Sequence, residues 1–317
     1  MRSAHSNPEG GAILLTFATT DPRSSLATAT APPPGEIGDC EIARFYTEAP
    51  QERTAQSQTW LTRGQNFVVA YSDARGPDSY ARTDQPDEYV ALLPDAGTRA
   101  SVTAGDQTVQ VGGFSLVVVP PGPSRVDLLN AGRLVRLFTV ASTDLAGATG
   151  NAASYATPRP AIPPFEAWPA APAGDRIRVY SLDVPREEGR FGRIFRCSTF
   201  MVNFLEPSDG PRDPKALSPH VHNDFEQCSL ALEGQYVHHL RWPWAHDRTA
   251  WREDRHETCD SPSVTVIPAG AIHTSEAKAA SRNQLVDIFC PPRFDFSAKA
   301  GWVLNADDYP LVPGTRS

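Results

Sequence analysis

The chain is short of basic residues, of paired cysteines and of long apolar runs, and each shortage closes off a class of function. Lys and Arg number 29 against 37 Asp and Glu, a formal charge of −8. That leaves no basic footprint for nucleic acid or an anionic membrane surface, so small molecules are the expected partners. The five cysteines, Cys40, Cys197, Cys228, Cys259 and Cys290, form no Cys-x-x-Cys pair. An odd number without that spacing predicts neither a disulfide framework nor a zinc ribbon, and points to a reducing, cytoplasmic setting. No stretch reaches the ~20 apolar residues a membrane helix needs. The apolar core near the start, Ala12 to Ala18, follows Glu9 rather than a basic cluster, so no secretory signal is expected. Helical periodicity is weak throughout, and 30 prolines disfavour long helices.

What is present is a succession of short β-branched and aromatic runs separated by Gly, Pro and Asp. They include Phe67 to Tyr71, Tyr89 to Leu93, Ser115 to Val119 and Val135 to Val140 in the first half. The second half adds Arg176 to Leu182, Ile194 to Leu205, Gln227 to Leu232, Gln235 to Trp242, Ser263 to Ile267 and Gln284 to Phe289. Residues 1–36, rich in Ser, Thr, Ala and Pro, are expected to be a disordered tail outside the fold. Between residues 146 and 174, sixteen of twenty-nine are Ala or Pro, which marks a linker or a segment laid extended over the surface. The expected organisation is therefore all-β, with units at 37–145 and 175–317.

Seven of the eight histidines lie between His220 and His273. In a strand, alternate side chains share a face, so His220 and His222 point the same way and can hold one ion between them. Gln227 opens a strand that ends in the Glu233-Gly234 turn, and Ser263 to Ile267 leads into Pro268-x-Gly270-x-x-His273.

These residues resemble the cupins, whose first motif is similar to G-x5-H-x-H-x(3,4)-E-x6-G and whose second is similar to G-x5-P-x-G-x2-H-x3-N. His220, His222, Gln227 and Gly234 match the first, and Pro268, Gly270 and His273 match the second. Pro214 and Pro262 replace the leading glycines, Ala277 replaces the Asn, and the Glu is displaced. Counting back from Gly234 puts Gln227 in the carboxylate position, while Glu226 fits only if the strand carries a bulge. In the first unit, Pro120-x-Gly122-x-x-Arg125 repeats the second motif with Arg in place of His, and Arg82 stands near the first. Arginines stay protonated, so that unit is expected to be a metal-free barrel, with an anion pocket on Arg82 and Arg125 as the alternative.

The resemblance implies a bicupin of two jelly-roll barrels, with one divalent ion held by His220, His222, Gln227 and His273 in the second. Fe(II) is the first choice, and Zn, Mn and Ni are the alternatives. Alternation lets only one of His238 and His239 face the interior, as an acid, a base or a hydrogen-bond partner. Arg196 is the candidate carboxylate clamp; Arg241, Arg193 and Asn203 are weaker ones. Trp242, Trp244 and Trp251 line a pocket, pack in the core or seal a homodimer. Three neutral imidazoles and an amide leave the ion's charge uncompensated, which favours an anionic substrate. The implied activity is an Fe(II) dioxygenase cleaving a C–C bond of an aromatic acid or diketone-like substrate. A Zn- or Mn-dependent isomerase or lyase acting on a sugar acid is the alternative, and a non-catalytic binding or storage protein the third reading.

Overall fold

The computed structural model describes residues 21–25 and 36–311. Its strands form four antiparallel sheets, two large and two small. In the first barrel, a seven-stranded sheet centred on Tyr89–Leu93 and Gly132–Thr139 faces a four-stranded sheet built around Ser124–Leu128 and Arg99–Ala104. In the second, a seven-stranded sheet centred on Gln227–Glu233 and Arg282–Phe289 accompanies the three strands Gln235–Arg241, Arg255–Asp260 and Ile272–Ala277.

The continuous apolar runs follow from burial on both faces. Val90, Leu92, Leu116, Val118, Val135 and Leu137 from one large sheet share a core with Val202, Leu230, Val264, Val266, Val286 and Ile288 from the other. The two large sheets thus pack back to back, and each keeps its opposite face for its own barrel. Each such side chain withdrawn from water contributes roughly 1.5–3 kcal/mol.

The barrels also exchange strands. Glu41–Arg44 pairs with Ser263–Ile267 of the second barrel, and Arg178–Ser181 pairs with Ser115–Val119 of the first. Both exchanges cross the boundaries expected at residues 37 and 175. The Ala/Pro-rich segment is laid against the surface, with Tyr155 and Ile162 buried and the Trp168 N–H donating to the Ser198 carbonyl at 2.7 Å. The run from Ile194 to Leu205 is two strands, Arg193–Arg196 and Met201–Phe204, folded back on each other at Cys197 to Phe200.

The barrel interiors differ. The pairings Tyr89 with Val119 and Gln227 with Ile267 put Tyr89 and Gln227 in equivalent places. The inward positions Tyr89, Ala91, Val117 and Phe138 make an apolar filling in the first barrel. The counterparts of the first three, Gln227, Ser229 and Thr265, are polar and buried in the second, while Phe289 keeps the ring of Phe138. One interior is packed with rings; the other is lined by polar groups. All five cysteines are buried and free. Among the described residues, no helix is long and apolar enough to cross a membrane.

Candidate metal centre

His220 and His273 face each other across an isolated bridge, where each backbone N–H donates to the other's carbonyl, at 3.0 and 2.8 Å. The Gly270 N–H donates to the His222 carbonyl at 2.6 Å, and Gly270 adopts φ 87°, a left-handed turn conformation that favours glycine. These contacts bring three imidazoles together, with one ligand atom from each lying within 4.8 Å of the others.

The rings are oriented for a cation. Nδ1 of His220 faces the Ser218 carbonyl at 2.9 Å, and Nδ1 of His273 faces the Ala271 carbonyl at 3.0 Å. A carbonyl only accepts, so each Nδ1 carries the hydrogen. Burial holds the rings neutral, pushing His273 down to about 4 and His220 and His222 well below the usual histidine range. Nε2 of His273 therefore presents a lone pair, and 3.3 Å away it meets Gln227 Oε1, another acceptor. Gln227 Oε1 also lies 3.0 Å from His222 Nε2. The amide is held in this orientation, because its Nε2 donates to Ser229 Oγ and to Asp287 Oδ1, both at 3.1 Å. Facing acceptors repel, and a shared cation relieves the repulsion, so the residues present fit a metal ion.

Asp287 was not anticipated. Its carboxylate is buried, accepts from Ser229 Oγ at 2.9 Å as well as from Gln227, and is pushed up to about 6 by burial. It stands behind Gln227, one hydrogen bond from the amide that meets the imidazoles. The signal for it was a lone acid inside the apolar strand Leu285-Val286-Asp287-Ile288-Phe289.

Glu226 faces the other way. Its carboxylate accepts from the Gln65 N–H at 2.6 Å, Arg159 Nη1 at 2.9 Å and the Tyr155 hydroxyl at 3.1 Å, all outside the second barrel. The register shift in this strand falls between Ala231 and Glu233, beyond the position that would turn Glu226 inward. Its counterpart Glu88 does the same in reverse, accepting from the Ser198 N–H at 3.0 Å and the Tyr309 hydroxyl at 2.8 Å. Each barrel's glutamate thus caps a hairpin turn of the other.

Of the histidine pair, His238 is inward and 1% exposed, with Nδ1 2.8 Å from Ser275 Oγ and Nε2 unpartnered. Burial pushes it down to about 3, which makes it a weak base at neutral pH. His239 lies on the outer face, against His256 Nδ1 at 2.8 Å and Glu276 Oε2 at 3.1 Å. His246 is exposed.

The expected carboxylate clamps lie elsewhere. Arg196 is buried, but its Nε and Nη2 donate to the Tyr309 carbonyl and its guanidinium stacks on Trp168. Arg241 ends its strand on the exposed side and forks onto Asp254 at 2.6 and 3.0 Å. Arg193 pairs with Glu206, whereas Asn203 is buried in the barrel with both amide atoms unpartnered. Cys228 packs in the core between the large sheets, as read from its face of the strand. Trp242 is buried, while Trp244 and Trp251 stack on each other at the surface, 4.2 Å apart.

The arginines that do reach the site are others. A cavity of about 200 Å³ opens over the imidazoles, lined in part by His220, His273, Gln227, Asp287, Arg23 and Arg212. Arg23 belongs to the segment Asp21–Ser25, so the expectation that everything before residue 37 stays off the fold fails there. Asp21 accepts from Ser218 Oγ at 3.0 Å, and Arg23 packs on Phe191, 4.4 Å from the ring centre. The rest of the expected tail, residues 1–20 and 26–35, lies outside the described residues. Neither Arg23 nor Arg212 sits in a short motif, so no local pattern pointed to them.

In the first barrel the alternative reading, an anion pocket on Arg82 and Arg125, is not met. Arg125 points outward and pairs with Asp127, and Arg82 forks onto Asp144. The buried arginine there is Arg136, which lies over the Tyr80 ring at 4.6 Å and occupies the place equivalent to Asp287.

The chain has the bicupin fold, two cupin barrels in tandem, with the imidazole cluster in the second. AerE from Microcystis aeruginosa superposes with TM-score 0.51 and 8% identity, over 81% of this chain and 99% of that one. A Bacillus subtilis oxalate decarboxylase with Mn(II) centres gives TM-score 0.54 and 13% identity, over 82% and 79%. The Lactobacillus farciminis oxalate decarboxylase in its formate complex gives 0.53 and 13%, over 82% and 88%. No family model and no curated protein matches the sequence.

Proposed function

We propose that the chain is a mononuclear metal enzyme acting on a small anionic molecule, with Fe(II)-dependent dioxygen chemistry as its reaction class. The observation that carries this reading is the cluster of three buried-ring imidazoles, with one ligand atom from each within 4.8 Å of the others and Gln227 Oε1 3.0 and 3.3 Å from two of them. His220, His222, His273 and Gln227 would hold the ion. When bound, a divalent ion there supplies Lewis acidity and, as Fe(II), electrons for dioxygen. None of the four ligands carries charge, so an enolate or phenolate oxygen is a favourable further ligand. The chain itself provides carbonyls that orient His220 and His273, an amide held by Ser229 and Asp287, and apolar walls of Phe191, Leu205 and Leu285.

A second reading is a redox-neutral, Mn-dependent lyase of a short carboxylic acid. The small cavity favours it, as does the likeness to oxalate decarboxylases. The weak basicity of His238 counts against a reaction in which that residue takes the proton. Oxygen uptake decides between the two. Iron-loaded protein should consume oxygen with a phenolic acid or diketone from a panel, and turnover that continues under strict anaerobiosis would overturn the dioxygenase reading.

A further inference from the structure

On the outer face of the second barrel's small sheet, turned away from the imidazole cluster, two further histidines meet. His239 in Gln235–Arg241 and His256 in Arg255–Asp260 stand directly opposite each other on neighbouring antiparallel strands. Cross-strand partners have their Cβ atoms about 5 Å apart, close enough for two imidazoles to share one ligand. The ring centres are 4.9 Å apart at an angle of 68°, and Nδ1 of one ring lies 2.8 Å from Nδ1 of the other. His239 is half-buried and His256 is exposed, so the pair is open to solvent.

The other nitrogen of His239 decides what its Nδ1 can do. His239 Nε2 lies 3.1 Å from Glu276 Oε2, and Lys278 Nζ holds Glu276 Oε1 at 3.0 Å. A carboxylate only accepts, so Nε2 carries the hydrogen, and the neutral ring turns a lone pair from Nδ1 toward His256. A carboxylate sets the tautomer of metal-ligating imidazoles in the same way. Without an ion, a proton on His256 Nδ1 bridges the two rings. When His256 carries that proton on Nε2 instead, two lone pairs face one point.

We infer that His239 and His256 form a second metal site, on the outside of the barrel, for a borderline divalent ion such as zinc. Imidazole nitrogen suits such ions, with bonds of about 2.0–2.1 Å. Two bonds of that length at a tetrahedral angle put the nitrogens about 3.3 Å apart, so the pair opens by roughly half an ångström. The exposed ring of His256 has room for that shift. Among the described residues no third His, Cys, Asp or Glu joins the pair, so water completes the shell. The ion ties the edge strand Arg255–Asp260 to Gln235–Arg241, whose inner face carries His238 and whose other neighbour, Ile272–Ala277, carries His273. It braces the wall of the interior site without entering it, and the inference does not depend on what the interior cluster binds.

The test is isothermal titration of the full chain with zinc chloride, in the parent and in His239→Ala, His256→Ala and His246→Ala variants. His239→Ala and His256→Ala each bind one zinc equivalent fewer than the parent. His246→Ala, altered at another exposed histidine, binds like the parent. Glu276→Gln weakens the same equivalent about ten- to a hundredfold, because an amide both donates and accepts and no longer fixes the ring tautomer. A folded chain carrying His222→Ala and His273→Ala together, left with one interior imidazole, still takes up that equivalent; should it fail to fold, the difference between the parent and His256→Ala is the reading. The inference is overturned if the His239 and His256 variants bind as many equivalents as the parent, or if the folded double variant loses the equivalent. Equal loss in His246→Ala marks adventitious surface binding and overturns it as well.

Discussion

At the scale of single residues, the outcome turns on two neighbours in one strand, Glu226 and Gln227. The acid faces the other barrel, and the amide faces the imidazoles. The sequence spacing carried this distinction, because counting back from Gly234 gives the phase of the strand. Spacing could not show Asp287, which belongs to a strand sixty residues further on and reaches Gln227 only through sheet pairing. Asp287→Asn lets the amide turn over, since an Asn side chain both donates and accepts. Metal affinity should fall about 10- to 100-fold, measured by competition with a chelator of known strength. An unchanged affinity would mean that Gln227 is held by something else. Glu226→Ala should leave metal content intact and destabilise the fold by about 3 kcal/mol, because it strips a buried carboxylate from Arg159 and the Gln65 N–H. Denaturant unfolding reads that loss directly.

At the scale of elements, the strands that form the cores were legible and their polar neighbours were not. Tyr89–Leu93 and Ser263–Ile267 are buried along their whole length, so their apolar runs stand out. Gln107–Gly112 and Arg255–Asp260 each bury a single residue fully, and their Gln, Thr, Arg and Glu side chains resemble those of a loop. The exchange of strands between barrels was hidden for another reason: pairing partners sixty to more than two hundred residues away leave no local pattern. Core positions in the large sheets should act on stability alone. Leu230→Ala, on the face turned to the other barrel, should cost about 2–5 kcal/mol in unfolding experiments and leave metal content unchanged. Loss of metal from a folded Leu230→Ala protein would show that the back-to-back packing also shapes the site.

At the scale of the whole molecule, one fold is used twice with different interiors. Tyr89, Ala91 and Arg136 stand in the first barrel where Gln227, Ser229 and Asp287 stand in the second. The first barrel is filled with rings and backs the second across the shared core, while the strand exchange and the paired glutamates tie the two together. The sequence showed the tandem repeat and the ligand spacing. It did not show that Asp21–Ser25, inside a stretch with the composition of a tail, lies at the cavity, because that placement depends on Phe191 and Ser218 from distant parts of the chain. The central claim is that the second barrel holds one divalent ion on His220, His222, His273 and Gln227. Elemental analysis of anaerobically purified protein, beside its folded His222→Ala and His273→Ala variants, tests it most directly. The account predicts about one metal ion per chain in the parent and little in either variant. A parent without metal, or a variant with full occupancy, would contradict it.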